Sequence, residues 1–187
     1  RNNTVRMDKL TNKMQGALAD AQSLALGSDH SAIEPVHLLS VLFNAEDKMV
    51  DRLITRAGGD VAAFGQELEN VLRTLPKIGT NTGEINVSPS LARTLGRADV
   101  LAGKAADQFI AVDQVLLALA QEESLNKVFA AGRVNEAALA ASIDAQRDGG
   151  NVSDANDEEH REALAKYTID LTELAEAGKL DPVIGRD

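Results

Sequence analysis

LTNKMQGALADAQSLALGSDHSAIEPVHLLSVL, residues 10–42, decides the fold because the chain states it twice. A shift of 77 positions lays LARTLGRADVLAGKAADQFIAVDQVLLAL, residues 91–119, on residues 14–42. Leu18 then matches Leu95, Ala21 matches Ala98, Leu24 matches Leu101 and Ala25 matches Ala102. Ile33 matches Ile110, Leu39 matches Leu116 and Leu42 matches Leu119, and Thr11 meets Ser88 just ahead of the shared register. The matches are mostly apolar and fall at helical spacing, so what is repeated is a buried helical face. A repeated unit that leaves an apolar face open buries it against its neighbour, which predicts one all-α, pseudo-twofold domain of about eight helices.

Composition bounds the rest. The chain has 187 residues, which fits one domain plus a tail. Apolar residues make up 44% and aromatics 3%, a small-residue composition suited to close helix packing. No apolar run reaches the roughly 20 residues of a membrane span, and no signal-peptide pattern opens the chain. Cysteine is absent, so there is no disulfide framework or thiolate chemistry. These features fit a cytoplasmic protein. The net charge of −10 argues against nucleic acid as a partner, because such affinity comes mainly from cations on phosphates.

Taken in order, residues 1–7 form an N-terminal extension, and Asp8 is a candidate cap for the first helix. Leu10, Met14, Ala17, Leu18, Ala21, Leu24 and Ala25 make one apolar stripe, which Gly27 ends. Pro35 opens a short buried helix. A third helix runs to Arg56 and stops at Gly58-Gly59, and a fourth begins near Asp60 and closes at Pro76. Repeat one therefore spans 8–76, and the Gly-, Thr- and Asn-rich stretch 77–87 joins it to repeat two at 88–147. Ser88-Pro89 restarts the pattern, with helices predicted at 88–104, 113–121, 124–131 and 134–147. Val112 replaces Pro35 in the second copy, so Asp113 is the expected cap there. Residues 148–160 read as a flexible acidic linker, spanning on the order of 20 Å if unstructured. Beyond it, Asp170 and Glu173 form a capping-box pattern and Gly178 a stop. The segment 161–187 looks like the start of a truncated further module.

Catalytic signatures are missing from the sequence. No Gly-x-x-x-x-Gly-Lys-Ser/Thr loop follows Gly58-Gly59 or Gly149-Gly150. His30, His37 and His160 lack the four-residue spacing of a paired metal site. The adjacent acids Glu122-Glu123 and Glu158-Glu159 do not converge on one face, and no serine lies in a Gly-x-Ser-x-Gly elbow. The expectation is a binding domain and not an enzyme.

MDKLTNK, ALADAQSLALG and IEPVHLLSVL resemble the N-terminal repeat domain of the Clp ATPases, and YTIDLTELAEAGKLDPVIGRD resembles the opening of the first AAA+ module in the two-ring members. The resemblance runs from about Arg6 to Asp187. It implies an ATP- and magnesium-dependent homohexamer that threads aggregated proteins through a central pore with the DnaK system. The N-domain would be the part that touches unfolded substrate. Family residues linked to substrate handling match Thr11, Asp107 and Asp113, the last replacing a more usual Glu. Val183 and Ile184 match a segment that lies against ATP in the intact module, but the phosphate loop is absent from this chain, so it is not expected to hydrolyse ATP.

Weak binding of many unfolded segments calls for exposed apolar surface with a polar rim. The seam between the repeats is the expected groove, walled by Leu10, Met14, Leu95 and Leu101, with Phe109 and Ile110 at the loop. A competing reading makes the same stripe core, Thr11 a helix cap, Asp107 a turn residue and Asp113 an N-cap. Two other functions are open. One is an adaptor-docking domain of a protease-coupled Clp unfoldase. The other is a helical DNA-binding regulator, which the charge disfavours.

Overall fold

Two short parallel bridges, Leu10 with Ile110 and Val87 with Ile33, cross between the copies at positions related by the same 77-residue shift. Each joins the residue leading into one repeat's first helix to the loop before the other repeat's second helix. Thr11 and Ile110 donate backbone N–H groups to Ile110 and Lys9, at 3.1 and 2.8 Å. Ile33 and Ser88 do the same to Asn86 and Ile33, at 2.9 and 3.0 Å. The repeats are thus interlocked, as the duplicated stripe predicts. The structure, a computed structural model, describes residues 7–79, 83–148, 150, 152–153 and 155–156.

Among those residues the chain is all-α. Repeat one holds α1 (Asn12–Gly27), α2 (Pro35–Phe43), α3 (Met49–Arg56) and α4 (Val61–Thr74). Repeat two holds α5 (Pro89–Lys104), α6 (Val112–Ala120), α7 (Asn126–Ala131) and α8 (Glu136–Arg147). Short 3-10 turns cover Met7–Lys9 and Glu123–Leu125. The apolar helices α2 and α6 lie in the middle, while α4 packs on α7 and α3 on α8, so each repeat's last two helices rest on the other repeat. Phe64 of α4 is fully buried at this crossing. Its ring lies 5.4 Å from Phe43 and 5.1 Å, edge-on, from Phe129. Asp60 donates its N–H to the Gly132 carbonyl at 2.7 Å. A side chain at Gly132 would come within 2.8 Å of the Phe64 ring, so this close approach requires glycine.

Helix ends follow the repeat better than the expected signals do. Thr11 and Ser88 cap α1 and α5, their hydroxyls accepting the N–H groups of Met14 and Leu91 at 3.2 and 3.0 Å. Asp8 instead lies in the preceding 3-10 turn. Asp113 is not the cap of α6. That position is Ala111, and Asp113 stands in the first turn. Gly27 is the last residue of α1, and the left-handed position falls on Asp29. The helices α1, α3, α5 and α7 close the same way, with Asp29, Gly58, Ala106 and Arg133 at positive φ. In each, the next residue's N–H reaches the carbonyl five back, as in His30 to Ala25 and Asp107 to Ala102. The N-terminal extension up to residue 6, the 170–178 capping pattern, His160, Val183 and Ile184 lie outside the described residues.

Candidate polypeptide-docking site

Most of the expected groove wall is core. Leu10, Met14 and Ile110 are at most 1% exposed and Leu95 is 7% exposed, while Leu101 and Phe109 are half-buried. The seam between the repeats is filled by these side chains, so the docking surface expected there is corrected. Thr11 is fully buried and occupied as the α1 cap. Asp107 and Asp113 are also buried, and the residue that joins them was not singled out from sequence.

That residue is Arg147, the last of α8. Its Nε and Nη2 donate to the two Asp113 oxygens, both at 2.6 Å, and its Nη1 donates to Asp107 Oδ1 at 2.8 Å. Gln114 Nε2 donates to Asp107 Oδ2 at 3.2 Å. Asp113 belongs to the positive end of α6 and Arg147 to the negative end of α8, so both helix dipoles favour the charges they carry. Burial works against the guanidinium charge, but the bonds from Asp113 and Asp107 outweigh it and hold the Arg147 pKa above its ordinary value. The repeat itself carried a signal. Asp107 and Asp113 align with His30 and Val36, and Arg147, counted from the equivalent caps Asn135 and Asp60, aligns with Leu72, so all three charges belong to the second copy alone.

The equivalent loop of repeat one is closed by neutral rings. His37 Nδ1 accepts the Glu34 N–H at 2.8 Å, which places its proton on Nε2, 2.7 Å from His30 Nδ1. Burial, then the neighbouring His30, pulls the His37 pKa down to about 4. Burial and Lys77 lower that of His30, against Asp29 and Glu34.

Beside the Arg147 cluster lies a groove of about 420 Å³ between the end of α5, α6 and α8. Leu101, Ala105, Leu117, Ala140 and Ile143 give its apolar surface, and Lys104, Gln114, Asp144 and Arg147 its polar edge. In repeat one, Ser40 stands at the place of Leu117, and Leu68, counted from the equivalent caps Asp60 and Asn135, at that of Ile143. The Leu117 side of the groove is therefore apolar in one copy only. Among the described residues no helix is long and apolar enough to cross a membrane.

The stretch expected to be linker from 148 onward begins differently. Asp148 caps α8 in the left-handed conformation, and Gly150 donates to the Arg147 carbonyl at 3.0 Å. Val152 is fully buried, and its N–H reaches Asp107 Oδ1 at 2.8 Å. Ala155 accepts the N–H of Asn12 at 3.1 Å. These residues are docked on the domain.

Comparison with known proteins agrees with this architecture. Residues 9–131 match the Clp repeat (R) N-terminal domain. The chain belongs to that family. It is 50% identical over 184 residues to the chaperone protein ClpB of Pseudomonas putida, a match covering 98% of this chain and 22% of that protein. The chain thus spans about a fifth of the curated relatives it matches. Its fold is similar to the Hsp104 N-terminal domain from Candida albicans, with a TM-score of 0.72 at 20% identity, covering 79% of this chain and 97% of that one. A ClpV N-domain in complex with a VipB peptide shares the fold at a TM-score of 0.60 and 18% identity, covering 75% of this chain and 91% of that one.

Proposed function

We propose that this chain is the N-terminal docking domain of a cytoplasmic ClpB-type disaggregase and that it holds unfolded or aggregated polypeptide weakly in the α5–α6–α8 groove. The observation that carries this reading is the groove itself, whose apolar lining includes Leu117 where repeat one has Ser40, with charges at its edge. Such a surface favours apolar segments without demanding one sequence. ATP, magnesium, the homohexamer and the DnaK system belong to the whole protein in this reading, and Val183 and Ile184 to its nucleotide contact. This chain contributes docking and not hydrolysis. Nucleic acid and membrane are not partners.

On this reading the domain runs to Asn156. Six tethered copies on a hexamer would raise avidity over single-site affinity by ~10²-fold or more. Binding of fluorescein-labelled α-casein, read by anisotropy, tests the reading. Leu101→Asp with Leu117→Asp, both at half-buried positions, is expected to weaken binding at least about fivefold. Unchanged affinity with the fold intact would reject the groove.

A second reading, docking of one defined adaptor, is favoured by the ClpV N-domain complex, whose fold this chain shares. Saturable binding of a single partner, with no affinity for α-casein, would select it.

A further inference from the structure

The described residues of the docked segment, Val152, Ser153, Ala155 and Asn156, are met through backbone groups at two points. The Val152 N–H is taken by Asp107 Oδ1 at 2.8 Å, and its carbonyl accepts the N–H groups of Gln108 at 2.6 Å and Phe109 at 3.4 Å. Three residues on, the Ala155 carbonyl accepts the N–H of Asn12, the first residue of α1, at 3.1 Å. That N–H is one of those a helix cannot satisfy internally. Val152 is also fully buried, and the Asn12 amide donates to Asn156 Oδ1 at 2.5 Å. Backbone pairing plus one apolar side chain is the recognition logic of an added strand, which tolerates many sequences.

From this we infer that the segment is a strap lying in a second peptide cleft, and that an extended client segment with a small β-branched residue takes its place. The cleft and the groove meet at Arg147, whose guanidinium holds Asp107 in position to receive the incoming N–H and also borders the groove. A client lying in the groove is therefore placed to continue past Gly150 into the cleft as the strap leaves. The Asp107 carboxylate then keeps a backbone partner in both states, supplied first by the strap and then by the client. Release of the strap also adds its length to the tether. The inference rests on the docking reading above and names what the client presents at its second contact: main-chain N–H and carbonyl groups around one branched side chain.

The test is a titration of the isotope-labelled full chain with α-casein, followed by amide NMR. The expected result is that the amides of Asn12, Gln108 and Phe109 shift and that of Val152 moves to an unstructured position. In parallel, Val152→Asp is expected to bind the peptide GNVSDAND about tenfold more tightly than the unchanged chain, because its own strap no longer competes. Val152→Ala serves the same purpose if the Asp variant loses its dispersed amide spectrum. Shifts at Leu101, Leu117 and Ile143 with the strap amides unmoved would overturn the cleft while leaving the groove. No shifts at all would overturn the docking reading itself. Equal peptide affinity of the variant and the unchanged chain would also overturn the cleft.

Discussion

The two loops that precede α2 and α6 occupy equivalent places and are closed by opposite chemistry. Repeat one uses His30 and His37, two neutral rings. Repeat two uses Asp107 and Gln114 at the same positions and adds Asp113 and Arg147. The ionic solution pairs its buried polar atoms, as a low-dielectric interior requires, and the imidazole solution bonds one ring to the other. They differ in what they do to their surroundings. The imidazole pair is self-contained. The ionic cluster fixes the end of α8, receives the strap and borders the apolar groove. Duplication supplied one frame twice, and the buried charges belong to the second copy alone.

The sharpest way to break this contrast is Arg147→Met, which leaves two buried carboxylates facing one another without their cation. A loss of about 3–5 kcal/mol is expected in urea unfolding at neutral pH. Asn70→Ala on α4 of repeat one, at an exposed site, should stay within about 0.5 kcal/mol.

Acid should distinguish the loops next. The folded-state pKa of His37 is depressed to about 4 and that of His30 is lowered, so the unfolded chain binds more protons below its own value of about 6.5. The stability is present above pH 6.5 and is lost as pH falls from there toward 4, by on the order of 2 kcal/mol. Lys77, Asp29 and Glu34 are the charged groups that act on the pair. The double replacement His30→Asp with His37→Gln, which copies the Asp107–Gln114 pair, should flatten that slope between pH 4 and 6.5. A slope as steep in the double variant as in the unchanged chain would show that the acid response arises elsewhere.

Smaller effects are expected where the following segments return to the loops. Val152 closes repeat two from full burial, whereas Ile78, which donates its N–H to the Asp29 carbonyl at 2.8 Å, is 37% exposed. Val152→Ala should cost about 1–2 kcal/mol by thermal unfolding, and Ile78→Ala within about 0.5 kcal/mol. One expected effect is a gain. Ala106 and Asp29 hold positive φ at the ends of α5 and α1, so Ala106→Gly should stabilise by about 0.5–1 kcal/mol, with a similar sign at Asp29→Gly.

The all-α repeat was legible because a 77-residue self-match of Leu and Ala at helical spacing has one physical meaning, a face buried twice. What the match does not carry is direction. Leu10, Met14, Leu95 and Ile110 have the spacing of either a core or a groove wall, and only the interlocked bridges decide for core. Four of the five left-handed helix ends among the described residues use Asp29, Ala106, Arg133 and Asp148, so a glycine rule finds Gly58 alone. Asp107 and Asp113 were singled out through the family resemblance, but their setting depends on Arg147, 34 residues beyond Asp113, in an alanine-rich helix with no local sign of burial. Comparing the copies with each other, and not only aligning them, exposes it, since the three charges appear together where repeat one has none of them. The strap was hidden by composition. Gly, Asn, Ser and Asp around Val152 read as solvated chain, and one valine with backbone bonds was enough to dock it.

The account stands on the second repeat being the side that docks polypeptide. Methyl NMR of the full chain with α-casein compares that side with its internal copy most directly. The account predicts perturbation at Leu101, Leu117 and Ile143, with Leu24 and the α2–α4 face of repeat one unmoved. Equal perturbation of both faces, or perturbation of repeat one alone, would contradict it.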